Sequence, residues 1–274
     1  MDAAVNPEDE VRRALLDAIF ERYHYDFRGY AEASLKRRID SAVAHFGCDG
    51  VKALHDRVLD DPGAFAELLG FMTVQVSDLF RDPAYFRAVR EKVVPLLATY
   101  PSFRVWVAGC ATGEEAYSLA IVFAEEGLLE RAQIYATDIH PPSLQTAQAG
   151  VYGMDRFARF SENYQLAGGK RSLSDYYTAQ YSGAVLDRSL KKAILFADHS
   201  LATDSSFAEM QFVSCRNVLI YFDKTLQERA LSVLYGSLCR RGFLGLGLRE
   251  TLRYTGHANV FDEFDSEARI YQRL

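Results

Sequence analysis

The chain has 274 residues, more than one domain usually holds, so one large domain or two smaller ones are expected. Apolar residues make up 49% and charged residues 25%, the balance of a soluble globular protein rather than a disordered, collagenous or membrane chain. A net charge of −6 argues against a protein whose main task is to hold a phosphate backbone, which needs a basic footprint.

The amino end, Met1 to Glu10, is acidic where a signal peptide is basic and then apolar. No run approaches the roughly 18 to 20 apolar residues of a membrane span, so a cytoplasmic location is expected. Residues 8 to 69 read as helix: Val11, Leu15, Leu16, Ile19 and Phe20 recur at helical spacing, as do Leu35, Ile39, Val43 and Phe46. Gly47, Gly50 and Asp61-Pro62-Gly63 supply the breaks, which gives an all-helical amino-terminal domain over 1–70. Residues 71–274 form the second expected domain.

From Phe103 the pattern becomes strand, turn, helix: Phe103 to Ala108, Gly109 to Gly113, then an amphipathic helix from Glu114 to Glu126. A strand from Ala132 to Ala136 ends at Asp138, and further strands are expected at Ala193 to Phe196, Glu209 to Ser214, Gly242 to Leu248 and Ala268 to Gln272, with a helix at Lys224 to Leu238. Alternating strands and helices imply an α/β domain with a doubly wound, mostly parallel sheet. The stretch from Tyr176 to Leu190, with Tyr, Thr and Val around Ser182-Gly183, suggests a small antiparallel β insertion, with a plain loop as the other reading. The four cysteines lie far apart without a Cys-x-x-Cys pair, and no His-x-x-x-His spacing occurs, so neither disulfides nor a metal site are expected.

The turn from Gly109 to Gly113 sits where nucleotide-binding folds hold a ligand, and its glycines permit positive φ and a close backbone approach. It is not the Gly-x-Gly-x-x-Gly of dinucleotide sites: its glycines are four apart, and Glu114 and Glu115 occupy the first helical turn, where they would repel a pyrophosphate. A cationic cofactor without phosphates fits better, and S-adenosylmethionine is the obvious one. Asp138, 25 residues after Gly113, stands where an acid typically accepts ribose hydroxyls, although a strand-end Asp also serves as a helix cap.

Four runs, Met72 to Asp82, Ala108 to Glu115, Ala136 to Ile139 and Cys215-Arg216-Asn217-Val218-Leu219-Ile220-Tyr221-Phe222, together resemble the CheR-type chemotaxis receptor methyltransferases in order and spacing. The resemblance covers nearly the whole chain. It implies a Rossmann-like methyltransferase domain with a small antiparallel β insertion after an all-helical domain, and methyl transfer from S-adenosylmethionine to receptor glutamates, leaving S-adenosylhomocysteine. It places cofactor contacts on Gln75, Ser77, Arg81, Glu115, Asp138, Ser200, Leu201, Asn217 and Val218, beside Gly109 of the glycine turn. Arg81 is given the further task of orienting a carboxylate through its bidentate fork, beside the simpler reading that it pairs with Asp82 or caps a helix. Tyr221 is given a part in shaping the methyl channel, beside the reading of a core aromatic.

The implied partner is the helical cytoplasmic domain of a chemoreceptor or receptor-like sensor, with a receptor tail at the β insertion. No nucleic acid or membrane insertion is implied. Lys36-Arg37-Arg38 is either a docking face for the acidic receptor bundle or a solvated helix face. The chain has Gln75, Ser77 and Ser200 where the family usually has Asn, Thr and Asn, and Gly247-Leu248-Arg249-Glu250 where it has Gly-His-Ser-Glu. The substitutions at Gln75, Ser200 and Leu248 motivate the alternative of a CheR-like cofactor-binding or scaffold module with weak or no transferase activity. A nucleic-acid methyltransferase is disfavoured, because the Asn/Asp-Pro-Pro-aromatic turn of amino-group methylation is replaced by Arg216-Asn217-Val218-Leu219.

Overall fold

Apolar spacing sets the helices that open the chain in the computed structural model, which describes residues 7–181 and 183–274. They are α1 (Pro7–Tyr23), α2 (Glu32–Phe46), α3 (Val51–Asp60) and α4 (Pro62–Met72). Helix α2 stops at Gly47, whose φ of 62° is the left-handed cap that glycine adopts without strain. Helix α4 starts where the Asp61 side chain accepts from the Gly63 amide and Pro62 takes the first turn. Leu15, Ile19, Ile39, Leu54, Val58 and Leu68 are buried, and Tyr23 stacks on Phe65 with ring centroids 3.8 Å apart.

The unit that contains these helices extends to Val74 and also takes in residues 201–204 and 221–230, with Tyr30 bridged to Phe222. The Lys36-Arg37-Arg38 run does not form one face. Lys36 and Arg37 are exposed, whereas Arg38 shares the inward stripe with Leu35 and Ile39 and donates to the Met72 carbonyl. Its guanidinium lies over the Tyr221 ring, 4.8 Å from the centroid, and burial pushes its pKa down.

The second unit opens with α5 (Pro83–Ala88), a π-helical turn (Val89–Val93) and α6 (Val94–Leu97). It continues through β1 (Phe103–Ala108), α7 (Glu114–Glu125), β2 (Ala132–Asp138), α8 (Pro141–Ala149), β3 (Val151–Gly153) and α9 (Phe157–Leu166). Then come β4 (Tyr177–Gln180), β5 (Gly183–Leu186), α10 (Arg188–Lys192), β6 (Ile194–Asp198), β7 (Met210–Cys215) and α11 (Lys224–Ser237), whose residues through Ala230 group with the first unit. The chain ends in β8 (Leu238–Leu246), β9 (Phe261–Asp265) and β10 (Ile270–Arg273).

Seven strands form one sheet in the order β6-β2-β1-β7-β8-β10-β9. Strands β6, β2, β1, β7 and β8 run parallel, and β10 is antiparallel to both its neighbours. The order reverses between β1 and β7, and ligands of open α/β sheets bind at the carboxyl ends beside such a switch point.

Helix α7 is not amphipathic: no residue from Ala116 to Phe123 is exposed to solvent. It contacts β2 and β6 and also α5 and α10, and a helix covered on all sides must be apolar all round. The β insertion is a three-stranded antiparallel sheet ordered β3-β5-β4, with Tyr177 opposite Leu186 and Val151 opposite Val185. Ser182, placed in its turn by the sequence, lies outside the described residues, as does the stretch from Met1 to Asn6 of the acidic amino end.

Candidate functional site

Strand β1 ends in a turn whose shape its residues dictate. Gly109 and Gly113 have φ of 72° and 93°, and a Cβ on Gly109 would fall 2.4 Å from Cγ2 of Val218. Only glycine therefore lets the first turn lie against the Asn217-Val218 segment that follows β7. The amides of Gly109 and Cys110 both donate to the Thr137 carbonyl, at 2.8 and 2.9 Å, which fastens the turn to the end of β2. The Tyr152 hydroxyl donates to the Thr112 carbonyl at 2.7 Å, tying β3 to the same turn.

Asp138 ends β2 and is 8% exposed. Its Oδ2 accepts from the Ala111 amide at 2.8 Å and its Oδ1 from the His140 amide at 3.0 Å. Burial pushes its pKa up, while these amides pull it down. Asp198, at the end of β6, stands opposite it in register, so two acids mark neighbouring strand ends. Beyond β2, the Ser143 hydroxyl donates to Oε1 of Gln75 at 2.5 Å and lies 2.7 Å from Nδ1 of His140, the residue that caps α8. Ser200, half-buried, follows β6 by two residues.

The acids of the first turn of α7 are both paired. Glu114 accepts from Arg156 at 2.8 Å, and Arg156 also donates to Asp78 and to the Ser77 carbonyl. Glu115 accepts from the Ser214 hydroxyl at 2.6 Å and from Nη1 of Arg216 at 2.9 Å. Their charges are thus balanced by arginines already committed, which corrects the expectation that they act as bare repulsive carboxylates. The turn itself, Gly109-Cys110-Ala111-Thr112-Gly113, carries no cationic side chain. Around it stand the acceptors of Asp138, Glu115 and Gln75, each bonded within the protein: to the Ala111 and His140 amides, to Ser214 and Arg216, and to the Ser143 hydroxyl.

Arg216 is buried and does more than pair with Glu115. Its Nη2 donates to Asp82 at 2.7 Å and to the Arg81 carbonyl at 2.9 Å, and its plane lies 4.1 Å from the Tyr85 ring centroid. The partner of Asp82 is therefore Arg216 and not Arg81. Arg81 donates from Nη1 to the Val76 carbonyl at 3.1 Å, and among the described residues no carboxylate pairs with it.

Asn217, at φ 59°, and Val218 are held from below by Glu250. The Glu250 carboxylate is buried and accepts from the amides of Asn217 and Gly247 on Oε2, at 3.0 and 2.6 Å, and from those of Val218 and Ile220 on Oε1, at 2.9 and 3.3 Å. Burial raises its pKa and the four amides oppose the rise.

The second unit thus brings Gln75, Ser77, Arg81, Gly109, Glu115, Asp138, Ser200, Asn217 and Val218 to the carboxyl side of its parallel strands. Leu201 and Tyr221 group with the helical unit, so the site built from the second unit alone does not include them. The residues that sequence reasoning missed are Arg156, Arg216, Glu250 and Asp198. The only signals available were the arginine inside Cys-Arg-Asn-Val, the Glu of Gly247 to Glu250 and an acid at a third strand end. Among the described residues no cluster of His, Cys, Asp and Glu is arranged to hold a metal ion, and no helix is long and apolar enough to cross a membrane.

Residues 75–270 match the family described as the CheR methyltransferase SAM-binding domain, and residues 12–73 match the CheR methyltransferase all-alpha domain. A Pseudomonas putida protein, Cher3, provisionally named a methyltransferase, is 53% identical over 273 residues, spanning 100% of both chains. A chemotaxis protein methyltransferase of Listeria monocytogenes is 29% identical, over 83% of this chain and 84% of its own. An uncharacterised 104.1 kDa protein of Rhodobacter capsulatus is 33% identical over 91% of this chain, which spans 26% of that relative.

Proposed function

The chain belongs to the CheR methyltransferase family, with S-adenosylmethionine as its cofactor, and on that premise we propose that it methylates glutamate side chains on the helical cytoplasmic domain of a chemoreceptor or receptor-like sensor. The observation that carries this reading is Arg81: among the described residues no carboxylate pairs with it, while Arg156 and Arg216 are each committed to acids of their own. A planar guanidinium left open beside a methyl-donor site suits an incoming carboxylate, which it can grip bidentately.

When bound, S-adenosylmethionine supplies an electrophilic sulfonium methyl. A glutamate carboxylate is already ionised near neutral pH, so the protein needs no strong base. Transfer of that methyl to a glutamate oxygen, with the sulfur–carbon electron pair left on sulfur, would give a methyl ester and S-adenosylhomocysteine. The work left to the side chains is alignment and exclusion of water. Asp138 would accept the ribose hydroxyls, Glu115 and Gln75 would hold the polar ends of the cofactor, and the Asn217-Val218 turn would form one wall. Strand β4 is the edge strand of the small sheet among the described residues, and an extended receptor tail would add to it by strand pairing.

The test separates binding from turnover. Arg81→Lys keeps the charge without the fork, so turnover should fall, and Arg81→Ala should lose about ten- to a hundredfold, the range for a charged hydrogen bond. Cofactor affinity is measured in parallel by calorimetry. Both variants binding normally and turning over at the wild-type rate would make Arg81 structural and remove the support for a carboxylate substrate.

A further inference from the structure

The buried carboxylate of Glu250 fixes more than the Asn217-Val218 turn. The Glu250 amide donates to the Gly247 carbonyl at 2.9 Å, closing a tight turn from Gly247 to Glu250 at the end of β8. The same carboxylate bonds the Gly247 amide and three amides of the 217–220 segment, so the turn is clamped beside the candidate site. A Cβ on Gly247 would lie 2.8 Å from the Asn217 amide, so the contact is as close as backbone permits. The two residues at the tip are in solvent: Leu248 is 46% exposed and Arg249 is exposed.

Arg249 has no hydrogen-bond or ion-pair partner among the described residues. On the same loop Arg253 does pair, with Glu263 at 3.6 Å. Exposed apolar side chains also occur at Ile220, whose amide bonds Glu250, and at Val76, whose carbonyl accepts from Arg81; they are 38% and 69% exposed. A rigid tip carrying one apolar and one unpaired cationic side chain is suited to a surface of matching pattern: an amphipathic helix bearing acids next to apolar residues.

We propose that Arg249 and Leu248 form a substrate-selecting tip, in which Arg249 pairs with an acidic side chain flanking the glutamate to be methylated. This rests on the reading of a glutamate substrate, and the experiment keeps the two apart. Two fluorescent helical peptides are used, one with acids flanking a central glutamate and one with those acids replaced by glutamine. Anisotropy measures their binding to the full chain and to Arg249→Glu in the presence of S-adenosylhomocysteine, and methylation is assayed separately.

Wild type should prefer the acidic-flank peptide, and Arg249→Glu should weaken that peptide about tenfold, through lost attraction plus new repulsion, while barely affecting the glutamine one. Arg249→Lys should restore most of the preference. KM should follow the same pattern, with kcat and cofactor affinity unchanged. If the preference survives Arg249→Glu, or wild type shows none, the tip does not select substrate. Peptide that binds with the expected Arg249 dependence but is never methylated would instead overturn the glutamate reading and leave the tip standing.

Discussion

Replacing Arg216 with methionine is expected to lower the stability of the fold by about 3 to 5 kcal/mol, the cost of removing one partner from a buried ion pair. The side chain is 1% exposed and neutralises two acids, Glu115 and Asp82, while packing on Tyr85. Methionine fills most of the volume but leaves Glu115, itself largely buried, with the Ser214 hydroxyl as its remaining partner in this network. The double variant Arg216→Met with Glu115→Gln should recover part of the loss, because it removes the stranded charge as well. Urea denaturation of the three proteins checks this. A loss below about 1 kcal/mol, the level of exposed surface pairs, would mean the network is solvated.

Glu250→Ala should be nearly as damaging. Four backbone amides lose their acceptor at once, and each buried donor left unsatisfied costs about 1 to 3 kcal/mol before water or local rearrangement offsets some of it. An overall loss on the order of 3 kcal/mol is expected. Glu250→Gln keeps one carbonyl oxygen and so one pair of amides, but turns its NH2 toward the other pair, and should fall between wild type and alanine. Thermal unfolding ranks the variants, and calorimetry should show weaker cofactor binding in the same order because the Asn217-Val218 turn loosens. Equal stability for all three proteins would mean that the clamp does not hold that turn.

The parts of this molecule that sequence revealed are the local ones. The glycine turn, the acid at the end of β2 and the alternation of strand and helix can all be read within a few residues of chain. Tyr, Thr and Val around Ser182-Gly183 marked the hairpin of the small sheet, but its third strand, β3, has three residues ending in a glycine and lies far from its partner in sequence, so no periodicity could announce it. Strand β9, Phe261–Asp265, carries three acids in five residues and reads as a solvated loop. Its place at the sheet edge explains how the acids are tolerated.

The site shows the same division. Glycine spacing located the turn, yet the bonds that shape it join Glu115 to Arg216, Asn217 to Glu250 and Glu114 to Arg156, pairs separated by tens of residues. Charge alone misled in two places. The first-turn acids of α7 look repulsive in a linear reading and are neutralised in three dimensions. Lys36-Arg37-Arg38 looks like one basic face, but at 3.6 residues per turn Arg38 falls on the stripe of Leu35 and Ile39 and is buried.

The central claim is that a methyl group passes from S-adenosylmethionine to a glutamate oxygen. The most direct test incubates the purified protein with methyl-labelled S-adenosylmethionine and the cytoplasmic fragment of a chemoreceptor, then exposes the labelled fragment to mild base. A glutamate methyl ester hydrolyses there and releases its label as volatile methanol, which is the predicted result. Label that stays on the fragment through base would mean a base-stable product, such as N-methyl, and would contradict carboxyl methylation.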